Sequence, residues 1–448
     1  YKMSGFNDNS FRKLIYGVEN KVPLKNNTTS IEINFDNAAT TPPFKAVIED
    51  VIKFAPYYSS IHRGEGYKSR YSTSMYEKSR FIVKQFIDDY KDICDVIYVK
   101  NCTEAINKLA EIWAYDHKNS IILSTFMEHH SNDLPWRRNF DVKYIDIDKN
   151  GCLNINDLKN KFNIYGNKIS LVVVSGASNV TGSKNSIHDI AKIVHSFGAK
   201  ILVDGAQLVP HSSFSMGQDT CGGEIDFLAF SAHKMYAPFG CGVLIGPKDF
   251  FNSTNPGHVG GGTITYVTHN KVIWAPSPDK EEAGSPNVIG SVVLASSMKL
   301  LSKIGMNEIE NYERTLTAYA TENMTDMDSV ILYGNYDDIL NKVSIIPFNI
   351  EGMHHSVVAK ALAFEFGIAV RSGCFCAHPY MQRLLKLPDE LIEQMAYIDK
   401  DLQPGMIRIS FGLYNTLGEV NSFLYALNVI TKNKDYYTKK YGKSGQIF

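Results

Sequence analysis

The chain has 448 residues, about three times the commonest domain size, so we expect two domains with sizeable cores. Its 46 basic and 47 acidic residues nearly cancel, which leaves no net field to attract nucleic acid or an anionic membrane. No apolar run reaches the roughly 20 residues that cross a bilayer. We therefore predict a small molecule as the first partner, with neither nucleic acid nor membrane involved.

Short apolar runs alternate with helix-length segments up to residue 250. The runs are VIYV (96–99), SIILST (120–125), VKYIDI (142–147), ISLVVVS (169–175), KILVDG (200–205), IDFLAFS (225–231) and GVLIG (242–246). This alternation is typical of an α/β fold with a mostly parallel sheet and sites at the carboxyl ends of its strands. After residue 290, a long helical stretch followed by further strand candidates predicts a smaller α+β domain.

The segment NCTEAINKLAEIW (101–113) places polar residues ahead of apolar positions at helical spacing. This pattern predicts a helix start, whose free N–H groups and positive dipole end favour an anion. Cys102 and Thr103 are the candidate ligands of a phosphate there. An ordinary helix cap without a ligand explains the local pattern equally well.

Two later apolar runs end in residues that carry chemistry. The run at 200–204 ends in Asp204, with Gln207 close behind, and an acid buried at a strand tip needs a cationic partner. The run at 225–231 leads into Lys234. A lysine near the core loses hydration and deprotonates more easily, as a Schiff-base lysine requires. Taken alone, Lys234 also fits a surface loop.

Seven cysteines are too few for a disulfide framework, and the start of the chain lacks the pattern of a secretory signal. We therefore expect free thiols and a cytoplasmic location. Cys376 follows Arg371 on a short predicted loop, a setting that favours the nucleophilic thiolate. Cys374 makes a C-x-C pair with it, but zinc needs further ligands and no matching His/Cys cluster is present, so we predict no metal.

Several segments together resemble a known family. VDGAQ (203–207) and SAHKMYAPFG (231–240) are similar to the cofactor signature of fold-type I, class V aminotransferase-like enzymes. EHHSNDLPW (128–136) and GCFCAHP (373–379) narrow the resemblance to group II cysteine desulfurases and selenocysteine lyases. The resemblance extends from residue 36 to near residue 415, and it implies pyridoxal 5′-phosphate (PLP) as the cofactor.

The resemblance also implies roles for individual residues. Lys234 carries the cofactor, Asp204 faces its ring nitrogen, and His129 stacks on its ring. Asn179 and Gln207 lie near the phenolic oxygen. The phosphate is held by Cys102, Thr103, Ser231 and His233, with Ser285 reaching it from the neighbouring subunit.

On the substrate side, Arg408 is the expected ligand of the α-carboxylate, because guanidinium geometry suits a bidentate grip. A purely structural salt bridge is the alternative for this residue. Asn179 is expected to contact both cofactor and substrate. Weaker candidates for the substrate side are Arg371, His62 and Arg63.

Changes of pattern and composition along the chain lead us to expect four segments. An N-terminal arm (1–35) packs on the small domain, and a large PLP-binding domain covers 36–295. A small C-terminal domain (296–430) follows, and a charged tail (431–448) ends the chain.

The implied reaction converts L-cysteine to L-alanine and leaves a persulfide on Cys376, from which a sulfur-acceptor protein takes the sulfur. Group II members commonly have polar residues, often His, at the two positions where this chain has Cys374 and Phe375. Cys374 is then a bystander or a second thiol that receives sulfur or is oxidised to a disulfide. Two other functions stay open: a PLP-dependent selenocysteine or other C–S lyase or aminotransferase, and a non-catalytic binding scaffold.

The resemblance further implies a homodimer with two shared sites. EEAGSPN (281–287) and GGGTI (260–264) lie outside the strand ends that build one protomer's own site. Both segments are also compatible with ordinary surface turns.

Overall fold

A computed structural model describes residues 11–25, 27–217, 221–443 and 446. Residues 1–10 and 26 of the predicted arm lie outside these ranges, as do residues 218–220 of the predicted large domain and residues 444, 445, 447 and 448 of the predicted tail.

The strands are β1 Lys21–Pro23, β2 Thr29–Ile31, β3 Ile33–Asn34, β4 Cys94–Val99, β5 Ile121–Thr125, β6 Asp141–Ile145, β7 Ile169–Ser175, β8 Lys200–Asp204, β9 Phe227–Ser231, β10 Gly242–Pro247, β11 Ile264–Val267, β12 Val272–Trp274, β13 Val330–Leu332, β14 Ile345–Ile350, β15 Ile368–Ala369, β16 Arg371–Gly373 and β17 Met406–Ser410. The helices are α1 Lys45–Phe54, α2 Tyr67–Phe86, α3 Cys102–His117, α4 Leu134–Arg137, α5 Ile155–Tyr165, α6 Ile187–Ser196, α7 Lys248–Ser253, α8 Val288–Ile304, α9 Met306–Thr325, α10 His355–Phe366, α11 His378–Leu384, α12 Asp389–Met395, α13 Leu417–Lys432 and α14 Lys434–Tyr441.

The large sheet has seven strands in the order β4-β10-β9-β8-β7-β5-β6. Its strands from β9 to β6 pair in parallel, and β10 pairs antiparallel with both of its neighbours. The carboxyl ends of the six co-directional strands therefore meet at one edge. The α/β class and the mostly parallel sheet predicted from the sequence are confirmed.

Both faces of this sheet are covered, which explains why its strands are continuous apolar runs. Alternate residues of β7 point to opposite faces. Leu171 and Val173 join the core that contains α3, while Val172 and Val174 join the core on the other face.

A second, antiparallel sheet has the order β13-β14-β17-β16. Its core contains Phe348, Ile407 and Phe423, together with Phe35 from just before the large sheet. Pairing of β16 with β17 sets Arg371 opposite Arg408. This register places both arginines, and the cysteine loop that follows β16, along the β16 edge of the second sheet.

The long helical stretch predicted after residue 290 is broken into α8 and α9 by Gly305, whose φ of 99° lies in the region that favours glycine. No single helix in the described part of the chain combines the length and apolar character needed to cross a bilayer; α8 and α9 meet those criteria only as a pair, bent by 77°.

The described part of the arm contacts the C-terminal half of the chain. Ile33 in β3 pairs in parallel with Ile368 in β15, and Arg12 lies 2.7 Å from Glu419. At the other end, α14 packs on α10, where the hydroxyl of Tyr441 donates to Glu365. The four segment boundaries given above stay predictions.

Glu282 joins α2 to the segment that carries Ser285. Its carboxylate accepts hydrogen bonds from the Tyr76 hydroxyl, the Tyr98 amide (2.6 Å) and both terminal nitrogens of Arg80 (3.0 and 2.9 Å). The side chains of Arg80 and Glu282 are both almost fully buried.

Replacing Glu282 by Ala leaves the Arg80 charge buried without its main partner, so we expect unfolding free energy to fall by about 3–5 kcal/mol. Glu77→Ala is the matched control. Glu77 also contacts Arg80, but its side chain is half exposed, so its loss should cost about 0–1 kcal/mol. Denaturant titration measures both variants, and equal losses would contradict the assignment of Glu282 as the main partner.

Candidate active site

A cavity of about 240 Å³ lies where the carboxyl ends of the large sheet meet the second sheet. The predicted site residues that line it are Cys102, Thr103, His129, Asn179, Asp204, Gln207, Ser231, His233, Lys234, Arg371, Cys376 and Arg408. Three predicted residues do not line this cavity. Ser285, His62 and Arg63 are exposed elsewhere on the chain, and their roles stay predictions.

Lys234 ends the short 3-10 turn Ala232–Lys234 that follows β9. The turn is held by Thr41, whose amide donates to the His233 carbonyl (3.0 Å) and whose hydroxyl accepts from the Tyr236 amide (2.7 Å). Burial lowers the pKa of Lys234, and Arg408 adds to this effect while Asp204 opposes it. The amine is therefore easier to deprotonate than that of an ordinary lysine.

Asp204 is the last residue of β8 and is buried. Its Oδ1 accepts from the Ala206 amide at 2.9 Å and from the Cys102 thiol at 3.4 Å. Burial raises the pKa of Asp204. Among the described residues, no basic side chain forms an ion pair with Asp204, so its carboxylate can pair with a cationic group of a ligand.

Helix α3 begins at the cavity. The side chain of Asn101 caps it by accepting from the Glu104 amide (2.9 Å), and the Cys102 amide donates to the Ser231 hydroxyl (2.8 Å). Thr103 shares a 2.7 Å hydrogen bond with Ser131. The helix start predicted from the sequence thus lies beside the end of β9. The amide groups of α3 and the hydroxyl group of Ser231 lie close together there.

His129 follows β5 and faces the cavity. The Ser131 amide donates to its Nδ1 at 3.1 Å, so Nδ1 is the acceptor and the neutral ring carries its proton on Nε2. Burial lowers the pKa of His129 to about 3, with the charge of Lys234 as the next cause. The ring is therefore uncharged at neutral pH.

Glu128 is a positioning residue that sequence reasoning missed, although it stands in the quoted motif. It is buried, and its carboxylate accepts from the hydroxyls of Thr125 (2.6 Å) and Ser175 (2.8 Å), the Ser175 amide (3.0 Å) and the Asn132 side chain (2.6 Å). It thereby ties the ends of β5 and β7 to the turn beside His129. Burial raises the pKa of Glu128 to about 7, against the effect of these hydrogen bonds.

Arg408, in the middle of β17, is buried at the cavity wall. Its Nη1 donates to the Asn179 carbonyl (2.8 Å) and its Nη2 to Oδ1 of Asp36 (3.1 Å). Its Nε has no hydrogen-bond partner among the described residues. Asp36 also lies 3.7 Å from Arg371, and it is a further residue to which the sequence analysis assigned no role.

Cys376 sits on a tight turn. The Ala377 amide donates to the Cys374 carbonyl (3.0 Å), and the two central residues have left-handed backbones, with φ of 55° at Phe375 and 56° at Cys376. This is the pattern of a type I′ turn, which normally uses Gly or Asn at these positions. Each non-glycine residue costs about 1–2 kcal/mol here. Cys376 is exposed, and Cys374 is partly buried.

The residues present fit PLP. Asp204 supplies the carboxylate for a protonated ring nitrogen, Lys234 supplies the amine for the aldehyde, and the start of α3 supplies donors for a phosphate. Gln207 donates from Nε2 to the Ala38 carbonyl (2.7 Å), while its buried Oε1 has no partner among the described residues. The acid, the amine and the helix start are therefore complementary to the ring nitrogen, the aldehyde and the phosphate of the cofactor.

Comparison with known proteins agrees with this geometry. Residues 33–423 match the family model of class V aminotransferases. The chain belongs to the class V aminotransferase family. This family is PLP-dependent, which confirms the predicted cofactor and the fold-type I architecture.

Cysteine desulfurases are among the proteins that this chain is similar to. A probable cysteine desulfurase of Staphylococcus aureus (strain COL) is 34% identical over 402 residues, covering 88% of this chain and 89% of the relative. A cysteine desulfurase of Wigglesworthia glossinidia brevipalpis is 32% identical over 415 residues, covering 89% and 93%. The apo structure of a cysteine desulfurase from Thermococcus onnurineus NA1 superposes with a TM-score of 0.80 at 31% identity, covering 90% and 95%.

We expect His129 not to titrate between pH 5 and 8, because burial places its pKa near 3. NMR of histidine-labelled, cofactor-free protein tests this, with His129→Asn to assign the signal. His195 is the contrast: its hydrogen bond to Asp226 raises its pKa above the ordinary value, so its signal should shift at a higher pH than that of an ordinary histidine. A midpoint for His129 above pH 5 would contradict the buried, neutral ring.

Proposed function

We propose that this chain is a PLP-dependent cysteine desulfurase that converts L-cysteine to L-alanine and takes the sulfur as a persulfide on Cys376. The observation that carries the proposal is that Lys234, Arg408 and Cys376 line one cavity. An amine, a carboxylate ligand and a thiol are the three groups that this reaction needs from the protein.

Arg408 binds the substrate carboxylate. Hydrogen bonds to the Asn179 carbonyl and the Asp36 carboxylate fix the plane of the guanidinium. They use one N–H of each terminal nitrogen, which leaves the second N–H of each for a carboxylate. Charge-assisted hydrogen bonds from a guanidinium to a carboxylate are stronger than neutral ones. The substrate is therefore oriented by its carboxylate before any bond changes.

Lys234 holds or moves the proton of the substrate α-carbon, for which its lowered pKa suits it. When bound, PLP supplies the electron sink that stabilises negative charge at that carbon. His129 lines the same cavity, and its neutral ring can donate a hydrogen bond from Nε2–H without adding positive charge near Lys234.

Cys376 attacks the substrate sulfur as a thiolate. The new S–S bond forms as the substrate S–C bond breaks, and the bonding pair passes to carbon, which takes up protons to give alanine. Because Cys376 is exposed at the mouth of the site, the persulfide is open to a sulfur-acceptor protein. All seven cysteines of the chain are free thiols, as this chemistry requires.

Replacing Cys376 by Ala should reduce alanine formation from L-cysteine at least about a hundredfold while leaving the visible absorbance of the bound cofactor in place. Cys374→Ala is the matched control, since it removes the neighbouring thiol and spares the attacking one. Lys234→Ala should lose the absorbance of the lysine-linked cofactor. Alanine, pyruvate and persulfide are measured together.

Each result bears on the proposal. Pyruvate release that survives Cys376→Ala would mean a lyase without a sulfur-accepting cysteine. A larger loss of alanine formation in Cys374→Ala than in Cys376→Ala would mean that the persulfide forms on Cys374, which would contradict the proposal. An absorbance that does not respond to L-cysteine would favour a binding scaffold.

We further propose that the protein works as a homodimer in which Ser285 reaches the phosphate of the partner's site. Ser285 is exposed and lies outside its own chain's cavity. Nearby, the β11–β12 hairpin and its flank expose the large apolar side chains of Val259, Tyr266 and Val267. Such a patch is typical of a subunit interface.

Mixed dimers of Lys234→Ala and Ser285→Asp chains test this arrangement. The aspartate repels the phosphate, so we expect each variant to be inactive alone. If Ser285 acts across the interface, the mixed dimer keeps one intact site and recovers activity, about half that of the parent dimer. If Ser285 serves its own chain, both sites of the mixed dimer are damaged. An inactive mixed dimer, or a fully active monomer in sedimentation, would contradict the shared site.

A further inference from the structure

The turn that carries Cys376 is held by two backbone contacts from other parts of the chain. The side-chain nitrogen of Asn179 donates to the Phe375 carbonyl at 2.7 Å. The His130 amide donates to the Cys376 carbonyl, also at 2.7 Å. Both carbonyls of the left-handed residues are thus bound to the large domain's strand ends.

A third contact comes from the Phe375 side chain. Its ring is buried, and the guanidinium carbon of Arg408 lies 4.9 Å from the ring centre. At this distance the ring attracts the cation, and it also excludes water from one face of the guanidinium. The N–H groups at the edge of the guanidinium stay available for a carboxylate.

These contacts form a closed circuit of three residues. Arg408 donates to the Asn179 carbonyl, Asn179 donates to the Phe375 carbonyl, and the Phe375 ring packs on Arg408. The circuit joins β17, the segment after β7 and the cysteine turn. A shift of any one member therefore moves the other two.

We propose that Phe375 is a positioning residue for sulfur transfer: its ring couples the seat of Cys376 to the carboxylate-binding guanidinium of Arg408. This inference rests on the proposed function. Arg408 holds the substrate by its carboxylate, and through the Phe375 ring the same guanidinium also holds the cysteine turn. One side chain therefore sets the positions of both the Cys376 thiol and the substrate sulfur. An aromatic ring at position 375 is then a requirement of this chain.

Four variants separate the ring from the backbone. Phe375→Tyr keeps the ring, Phe375→Leu keeps apolar volume without a π face, and Phe375→Ala removes both. Phe375→Gly removes the ring but is the residue best suited to the left-handed turn. If the ring is the positioning element, the glycine variant fails even though its turn is unstrained.

We expect kcat for alanine formation to fall about ten- to a hundredfold in the Leu, Ala and Gly variants, because small misplacements of a reacting group are costly. In the same three variants, KM for L-cysteine should rise severalfold, because the guanidinium of Arg408 is no longer covered by an aromatic ring. The Tyr variant should stay within about threefold of the parent, since its ring attracts the cation equally well.

Two readouts do not use the cofactor. In cofactor-free protein, hydrogen exchange of the Ala377 amide reports closure of the turn, and it should quicken at least about tenfold in the Leu and Ala variants but not in Tyr. The rate of alkylation of Cys376 by iodoacetamide, followed by peptide mass spectrometry, should change in the same variants. Cys221, which is exposed and distant in sequence, is the internal reference.

The outcomes are distinct. A Leu variant within twofold of the parent kcat, or a Gly variant that recovers it, overturns the requirement for a ring. A loss of kcat with unchanged exchange and alkylation overturns the positioning role. If the parent itself makes no alanine, the proposed function fails, whereas the exchange and alkylation results still decide whether Phe375 holds the turn.

Discussion

The rest of the site depends on two ionisable groups in the cavity, the carboxyl group of Asp204 and the amine of Lys234. Asp204 and Lys234 both line the cavity, and neither forms an ion pair with another described residue. Burial raises the pKa of the acid and lowers that of the amine, so it favours the uncharged form of each group. A buried ionisable group without a partner lowers the stability of the fold, and a ligand that pairs with it restores that stability. A cofactor that brings a ring nitrogen to the acid and a carbonyl carbon to the amine removes this cost at both ends.

The parallel sheet makes this arrangement possible. Co-directional strands end at one edge, so an acid at the end of β8, a lysine after β9 and a helix start after β4 meet without long connections. The second sheet then contributes what the first cannot. Its β16–β17 pairing sets Arg408, the proposed carboxylate ligand, beside the strand from which the cysteine turn emerges, so the proposed carboxylate ligand and the proposed nucleophile come from adjacent strands of one sheet.

Much of this could be predicted from the sequence, because apolar strands ending in Asp204 or Lys234 leave a periodic and local signal. The predicted α/β fold, cofactor and family are confirmed. Other features depend on contacts between distant segments, and these leave no local signal. The four hydrogen bonds of Glu128 reach three elements, and the ion pair of Asp36 with Arg408 spans most of the chain. The break at Gly305 shows the same limit, since helical spacing continues through it.

The departure of Cys374 and Phe375 from the family pattern acquires a physical meaning in this setting. Polar residues before the cysteine would leave the guanidinium of Arg408 facing water or another donor, whereas the ring of Phe375 covers it. The turn pays about 1–2 kcal/mol for each left-handed non-glycine residue, and strain of this kind persists only where surrounding contacts over-determine the conformation. Here those contacts are the Asn179 side chain, the His130 amide and the Arg408 guanidinium. In this chain, the packing of the Phe375 ring on Arg408 therefore takes the place of the polar residues that the family pattern has before the cysteine.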